Sequence, residues 1–161
     1  MISHFCDWLG ATRISVLFQS LKWFVPLVQT VHILNIGVVM TSIGMLDFKL
    51  LGISGRAQSL AAMVSYFMPW IWTALAILLI TGTLLSITEP PRELMNYAFR
   101  AKMMMVLAMA AMLRIVQLRV RRDPDYWTQS PPRLAAARAL GAGSLLLAVA
   151  IVAAGRWIAY I

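Results

Sequence analysis

The chain has 161 residues, 61% of them hydrophobic and only 12% charged, with a mean hydropathy of +0.79 and a formal net charge of +8. A soluble domain carries about 25% charged residues, so the composition excludes an ordinary water-soluble globule. The positive charge does not restore a nucleic-acid reading, because the cations stand at the edges of long apolar runs and form no solvated face.

The opening stretch MISHFCDWLGATR has no cationic lead into a short apolar core and small-residue cleavage site, so no removable signal peptide is expected. Its Cys6 is the only cysteine, which leaves no internal disulfide and no four-cysteine metal site. Residues 1–22 form an interfacial segment. Within it Ile14, Leu17, Phe18 and Leu21 follow the i, i+3, i+4, i+7 pattern of an amphipathic helix lying along the outer membrane surface, and Lys22-Trp23 marks the interface. The alternative is that this segment extends the first span.

A spanning helix needs about 20 mostly apolar residues. Four runs qualify: about 23–46, closed by Asp47 and Lys49; 61–88, with Pro69 inside it and a kink or tilt expected there; 97–118; and 140–161. Glu89-Pro90-Pro91-Arg92 stops the second run, and DPDYWTQSPPR is the only connection with enough turn residues to be irregular. The expectation is an all-α single domain, an integral membrane four-helix bundle with an N-terminal amphipathic interfacial helix.

Orientation follows from the side on which Lys and Arg collect. Lys49, Arg56, Arg114, Arg119, Arg121, Arg122, Arg133 and Arg138 fall on one side; Arg13, Lys22, Arg92, Arg100, Lys102 and Arg156 fall on the other. The dense QLRVRRD cluster abuts a helix end, which puts both termini on the periplasmic face of a bacterial inner membrane.

In the first span, VQTVHILNIGVV places His32, one of only two histidines, in an oily run. It shares a stripe with Val28, Ile36, Val39 and Ile43, flanked by Gln29 and Asn35. Gly37, Thr41 and Gly44 fall on roughly the opposite side and, with Gly82 of the second span, make a packing seam for close helix approach. An imidazole facing lipid is expensive, so the stripe should face the bundle or a partner. Nine residues from Trp23 to His32 are about 13–14 Å of helix, near the middle of a hydrocarbon core of about 30 Å. In the third span Met105, Met109 and Met112 recur at i, i+4 and i+7, and Met109 lies about 10 Å below Lys102 on the same scale, a matching depth.

Several readings remain open at this point. His32 is a neutral side chain bonded to a carbonyl or to Gln29, with the methionines as packing. Or His32 is an axial ligand of a non-covalent b-type haem, with Met109 or His4 opposite and Lys102, Arg100 and Arg156 near the propionates. Two histidines limit such a haem to one per chain or one shared between chains, and no CxxCH attachment motif is present. Or His32, Met105 and Met109 handle Cu(I), which suits imidazole and thioether. Quinone or lipid binding is a further possibility. Arg156-Trp157 and Lys102 also fit plain anchoring of helix ends, and Glu89 is placed to pair with Arg156 or Lys102. Hydrolase, metalloprotease, Walker and Rossmann motifs are all missing, so no turnover is expected of the chain alone.

The stretch WFVPLVQTVHILNIGVVMTSIGMLDFKLLG resembles the first span of a family of small four-helix bacterial membrane proteins. MPWIWTALAILLITGTLL, EP…NYAFRAKMMMVLAMA and the closing AGRWIAY extend the resemblance over most of the chain, in the family's order. The family is loosely similar to the copper-resistance protein D group and to small cytochrome-like membrane proteins, which also place a histidine in an early span. The resemblance implies the four-helix fold and special interest in His32, Gly82, Lys102 and Arg156. The reading that follows is a membrane subunit or cofactor carrier, in contact with lipid and working as a homo-oligomer or within a larger membrane complex. A cofactor-free assembly subunit and a copper-handling protein stand as its alternatives.

Overall fold

The computed structural model describes residues 8, 10–53, 58–88, 90 and 96–157. Among the described residues five helices follow in chain order: α1 Arg13–Ser20, α2 Phe24–Leu50, α3 Leu60–Thr88, α4 Tyr97–Arg122 and α5 Pro131–Trp157. The last four are each long and apolar enough to cross a membrane. In hydrocarbon a backbone must satisfy its own hydrogen bonds, which a helix does within one segment. The chain is therefore an all-α, multi-pass membrane protein, four long helices preceded by a short one.

α1 starts at a side-chain cap, with Thr12 Oγ1 accepting from the Ser15 amide at 3.4 Å. It lies against the end of α3. Ser15 Oγ donates to the Ile87 carbonyl at 2.8 Å and Gln19 Nε2 to the Thr88 carbonyl at 2.9 Å, so α1 uses its polar side to satisfy carbonyls that the last turn of α3 leaves open. Its apolar side remains exposed at Val16 and Leu17, while Phe18 stacks on Phe24 with ring centroids 4.2 Å apart.

α2 continues past the expected stop at residue 46. Asp47 turns into the bundle, where it is 2% exposed, and the helix ends only at Leu50. There Ile53 N bonds the Phe48 carbonyl, Gly52 N bonds the Lys49 carbonyl, and Gly52 takes φ +78°. This is a Schellman closure, which needs a residue free to adopt the left-handed conformation. α4 overruns its expected end by four residues. Arg119, Arg121 and Arg122 occupy its last turn, where cations suit the negative end of the helix dipole.

α5 starts nine residues earlier than hydropathy alone predicts, with Pro131 at the first helical position. Residues 158–161 lie outside the described residues. The turn between α4 and α5 is built rather than loose. Asp123 Oδ1 accepts from the Asp125 amide, Tyr126 lies between the guanidinium groups of Arg119 and Arg133 at 5.0 and 4.5 Å, and Trp127 is buried.

Around the bundle, α2 packs on α3 and α5, and α4 packs on α5 and α3, so α2 and α4 sit on a diagonal. Ile43, Leu46, Met68, Ile71, Met109, Leu113 and Ala148 fill the centre. Leu34, Leu79, Leu107 and Leu146 are 65–73% exposed, one from each long helix, and these outward faces meet lipid. α3 and α4 are joined by a polar bridge. Buried Gln117 Oε1 accepts from Trp72 Nε1 at 3.2 Å and from Arg114 Nη1 at 2.9 Å.

α2 and α5 approach closely at Gly141. A Cβ on Gly141 would meet Leu50 Cβ at 3.0 Å and the Asp47 carbonyl at 3.1 Å. Ser144 bonds Asp47 here, and this pairing fixes the register of the two helices. α2 ends three residues past Asp47, whereas α5 begins thirteen residues before Ser144. At this end α5 thus runs ten residues further past the pair than α2 does, about 15 Å at the helical rise.

Candidate functional site

His32 sits in the third turn of α2, half-buried, with Nδ1 2.7 Å from Thr81 Oγ1 on α3. Thr81 is itself buried, and its hydroxyl is 2.8 Å from the Ile77 carbonyl one turn earlier, the usual acceptor for a helical threonine. One hydroxyl carries one proton. With that proton given to Ile77, Thr81 Oγ1 accepts from the imidazole, so Nδ1 carries the ring proton and Nε2 keeps its lone pair. The arrangement is that of a neutral ligating histidine, one nitrogen held by a second partner and the other open to an acid or a metal.

The neighbouring glycine gives the ring its space. A Cβ on Gly82 would lie 3.5 Å from His32 Cε1, so the imidazole packs against nearly bare α3 backbone. Lys102 on α4 runs its side chain along Gly155 of α5, with Nζ 3.5 Å and Cε 3.7 Å from where a Cβ would stand. Its charge is near enough to act on the imidazole. Arg156 is exposed beside Gly155, and both cations make further interactions. His32, Gly82 and Lys102 therefore gather at one end of the bundle.

Other expected members do not join them. Met112 and Leu113 line one small cavity together with Leu46 and Asp47, so Met109, one turn earlier on α4, stands level with residue 43 of α2. That is eleven residues from His32, about 16 Å along the bundle; Met105 stands about 10 Å away on the same scale. Met109 is a core residue, 3% exposed. The depth match fails because Lys102 does not mark the membrane rim: it is half-buried, with its side chain against Gly155 of α5. His4 and Glu89 lie outside the described residues.

The packing seam is also placed differently from expectation. No atom stands within 4 Å of a Cβ built on Gly37 or Gly44, and Thr41 is exposed. Gly37 and Thr41 instead line an open groove of about 470 Å³ on the outside of α2 and α3, with Ser42, Tyr66, Phe67 and Trp70. Within the chain, the glycine that brings helices together is Gly141.

Sequence reasoning missed Thr81, and offered Gln29 as the partner of His32. Gln29 is exposed. Thr81 is 49 positions away, and only the antiparallel register of α2 and α3 brings it opposite. No protein family matches the sequence, and neither a curated protein nor a solved structure matches it.

Proposed function

We propose that this membrane protein is a small subunit that carries a non-covalent b-type haem for electron transfer, with His32 as one axial ligand. The observation that supports the reading is the hydrogen bond from His32 Nδ1 to Thr81, which leaves Nε2 as a fixed, unprotonated donor. A haem iron takes its axial imidazole through that nitrogen, and a held Nδ1–H raises the ligand's basicity. Lys102, with Arg156 beside Gly155, supplies cations for the propionates. The opposite axial ligand comes from His4 or from His32 of a second copy, one haem shared between chains. The site belongs at the periplasmic side of a bacterial inner membrane, the side opposite the arginine-rich turn, and the chain performs no turnover of its own.

The test is the absorption spectrum of gently solubilised, dithionite-reduced protein. Soret and α bands are expected, and they should vanish in His32→Ala while persisting in Met109→Leu. Wild-type protein without either band sinks this reading.

A second reading, a cofactor-free assembly subunit, is favoured by the open space before Gly37 and Gly44 and by the groove between α2 and α3. Small residues there let another helix come close. Because both positions are open in the single chain, Gly37→Leu and Gly44→Leu should leave it folded and release it from its complex. Unaltered assembly in both variants counts against that role. Copper handling through His32 requires Met105 or Met109 beside the imidazole, about 10 and 16 Å away by helical rise; metal content under reducing conditions is the direct measurement.

A further inference from the structure

A second polar group lies deep in the opposite half of the bundle. Asp47 is 2% exposed on α2, and its Oδ1 is 2.5 Å from Ser144 Oγ on α5. Its Oδ2 is buried without a hydrogen-bond partner. Ser144, 4% exposed, is also 3.2 Å from the Gly141 carbonyl in its own helix. Beside the pair is a cavity of about 10 Å³, lined otherwise by apolar side chains including Leu46, Met68, Leu113 and Val116.

The titratable side chains on the helices at this end are Lys49 on α2, Tyr66 on α3, Arg114 and the arginines of the last turn on α4, and Arg133 and Arg138 on α5. Among the described residues the Asp47 side chain is hydrogen-bonded to Ser144 alone. Arg114 is engaged by Gln117, and Arg138 approaches Gly52.

An ionised carboxylate here would hold a full charge in the core with one oxygen bare, among the costliest arrangements a buried group can take. A neutral acid needs far less. Its hydroxyl donates to Ser144 Oγ, the serine hydroxyl goes to the Gly141 carbonyl as helical serines commonly do, and the bare oxygen is an uncharged carbonyl. Every proton then has an acceptor.

We propose that Asp47 is a proton-binding site, a carboxylic acid held undissociated in the membrane core by Ser144. The cavity of about 10 Å³ that Asp47 and Ser144 help to line is close to the space that one water molecule needs. The site is separate from His32 and stands whether or not that histidine binds a haem.

The test uses the full-length protein in liposomes at neutral pH, treated with dicyclohexylcarbodiimide. This apolar reagent adds across the O–H of an undissociated acid and rearranges to a stable N-acylurea, keeping every atom of both partners. Intact mass should rise by one reagent molecule, mapped to Asp47 by peptide analysis and absent from Asp47→Asn. The infrared spectrum of untreated wild type should hold a carboxylic-acid C=O band that shifts in D₂O and disappears after labelling. That second readout needs no variant to fold. Labelling confined to other carboxylates overturns the proposal, and so does a neutral-pH spectrum without the acid band.

Discussion

α2 carries two ionisable residues that face the bundle from within its length, His32 and Asp47, fifteen positions apart, or about 22 Å of helix, besides Lys49 in its last turn. Each meets a hydroxyl from a neighbouring helix and each lies beside a glycine, yet the two ends differ in what is left over. At His32 the hydrogen-bond chain through Thr81 to Ile77 is closed, and a nitrogen lone pair remains at a half-buried ring. At Asp47 the chain through Ser144 to Gly141 leaves a bare oxygen in the core of the bundle. The first surplus suits a metal or an acid arriving from outside. The second suits a proton already present. A polar side chain in a membrane is informative chiefly through the atom its local hydrogen bonds do not use.

Four substitutions would break or sharpen this contrast. The largest effect belongs to His32→Ala, which is expected to abolish the haem spectrum while circular dichroism stays helical, since no core residue is removed. Next is Gly141→Ala. Its new methyl meets Leu50 Cβ at 3.0 Å and backbone at 3.1 Å, so α2 and α5 must shift, at a cost of about 1–3 kcal/mol by the usual penalty for overpacking, read as a lowered unfolding midpoint in detergent.

Thr81→Val removes the acceptor of Nδ1–H at nearly constant volume. A stranded buried donor costs about 1–3 kcal/mol, and membrane hydrogen bonds average nearer 0.6 kcal/mol, so a loss of about 1 kcal/mol is expected. If haem is bound, its potential should move as well, because the ligand's second partner is gone. Smallest is Gly82→Ala, whose methyl would stand 3.5 Å from His32 Cε1, an ordinary contact. Stability should change by no more than about 0.5 kcal/mol. A large loss there, equal to that of Gly141→Ala, would erase the distinction between the two ends.

Much of the fold was legible because hydrocarbon leaves so few solutions: the four apolar runs and the short amphipathic helix are all present. His32 was legible for the same reason, as an imidazole in an oily run. Thr81 was not, because threonine in a helix usually bonds its own backbone and its remaining lone pair has no signature in sequence.

Asp47 was read as the polar end of a span, as an acid at the edge of an apolar run normally is. Spacing held the correction. Asp47 follows Ile43 at i+4, on the stripe that also buries Val39, Leu46 and Leu50, which argues for the inside of the bundle. Gly37 and Gly44 show the converse limit. Small residues declare that something may come close without saying whether it belongs to the same chain. The methionines misled through depth, since counting from Lys102 assumed that all four helices begin at one level.

They do not, and that offset reaches beyond the protein. Registered through Asp47 and Ser144, α5 runs ten residues further than α2 at the arginine-rich end, and α2 runs ten residues further than α5 at the other. A bilayer along this flank meets two neighbouring apolar helices set at different levels, and each ångström of mismatch carries a small elastic penalty.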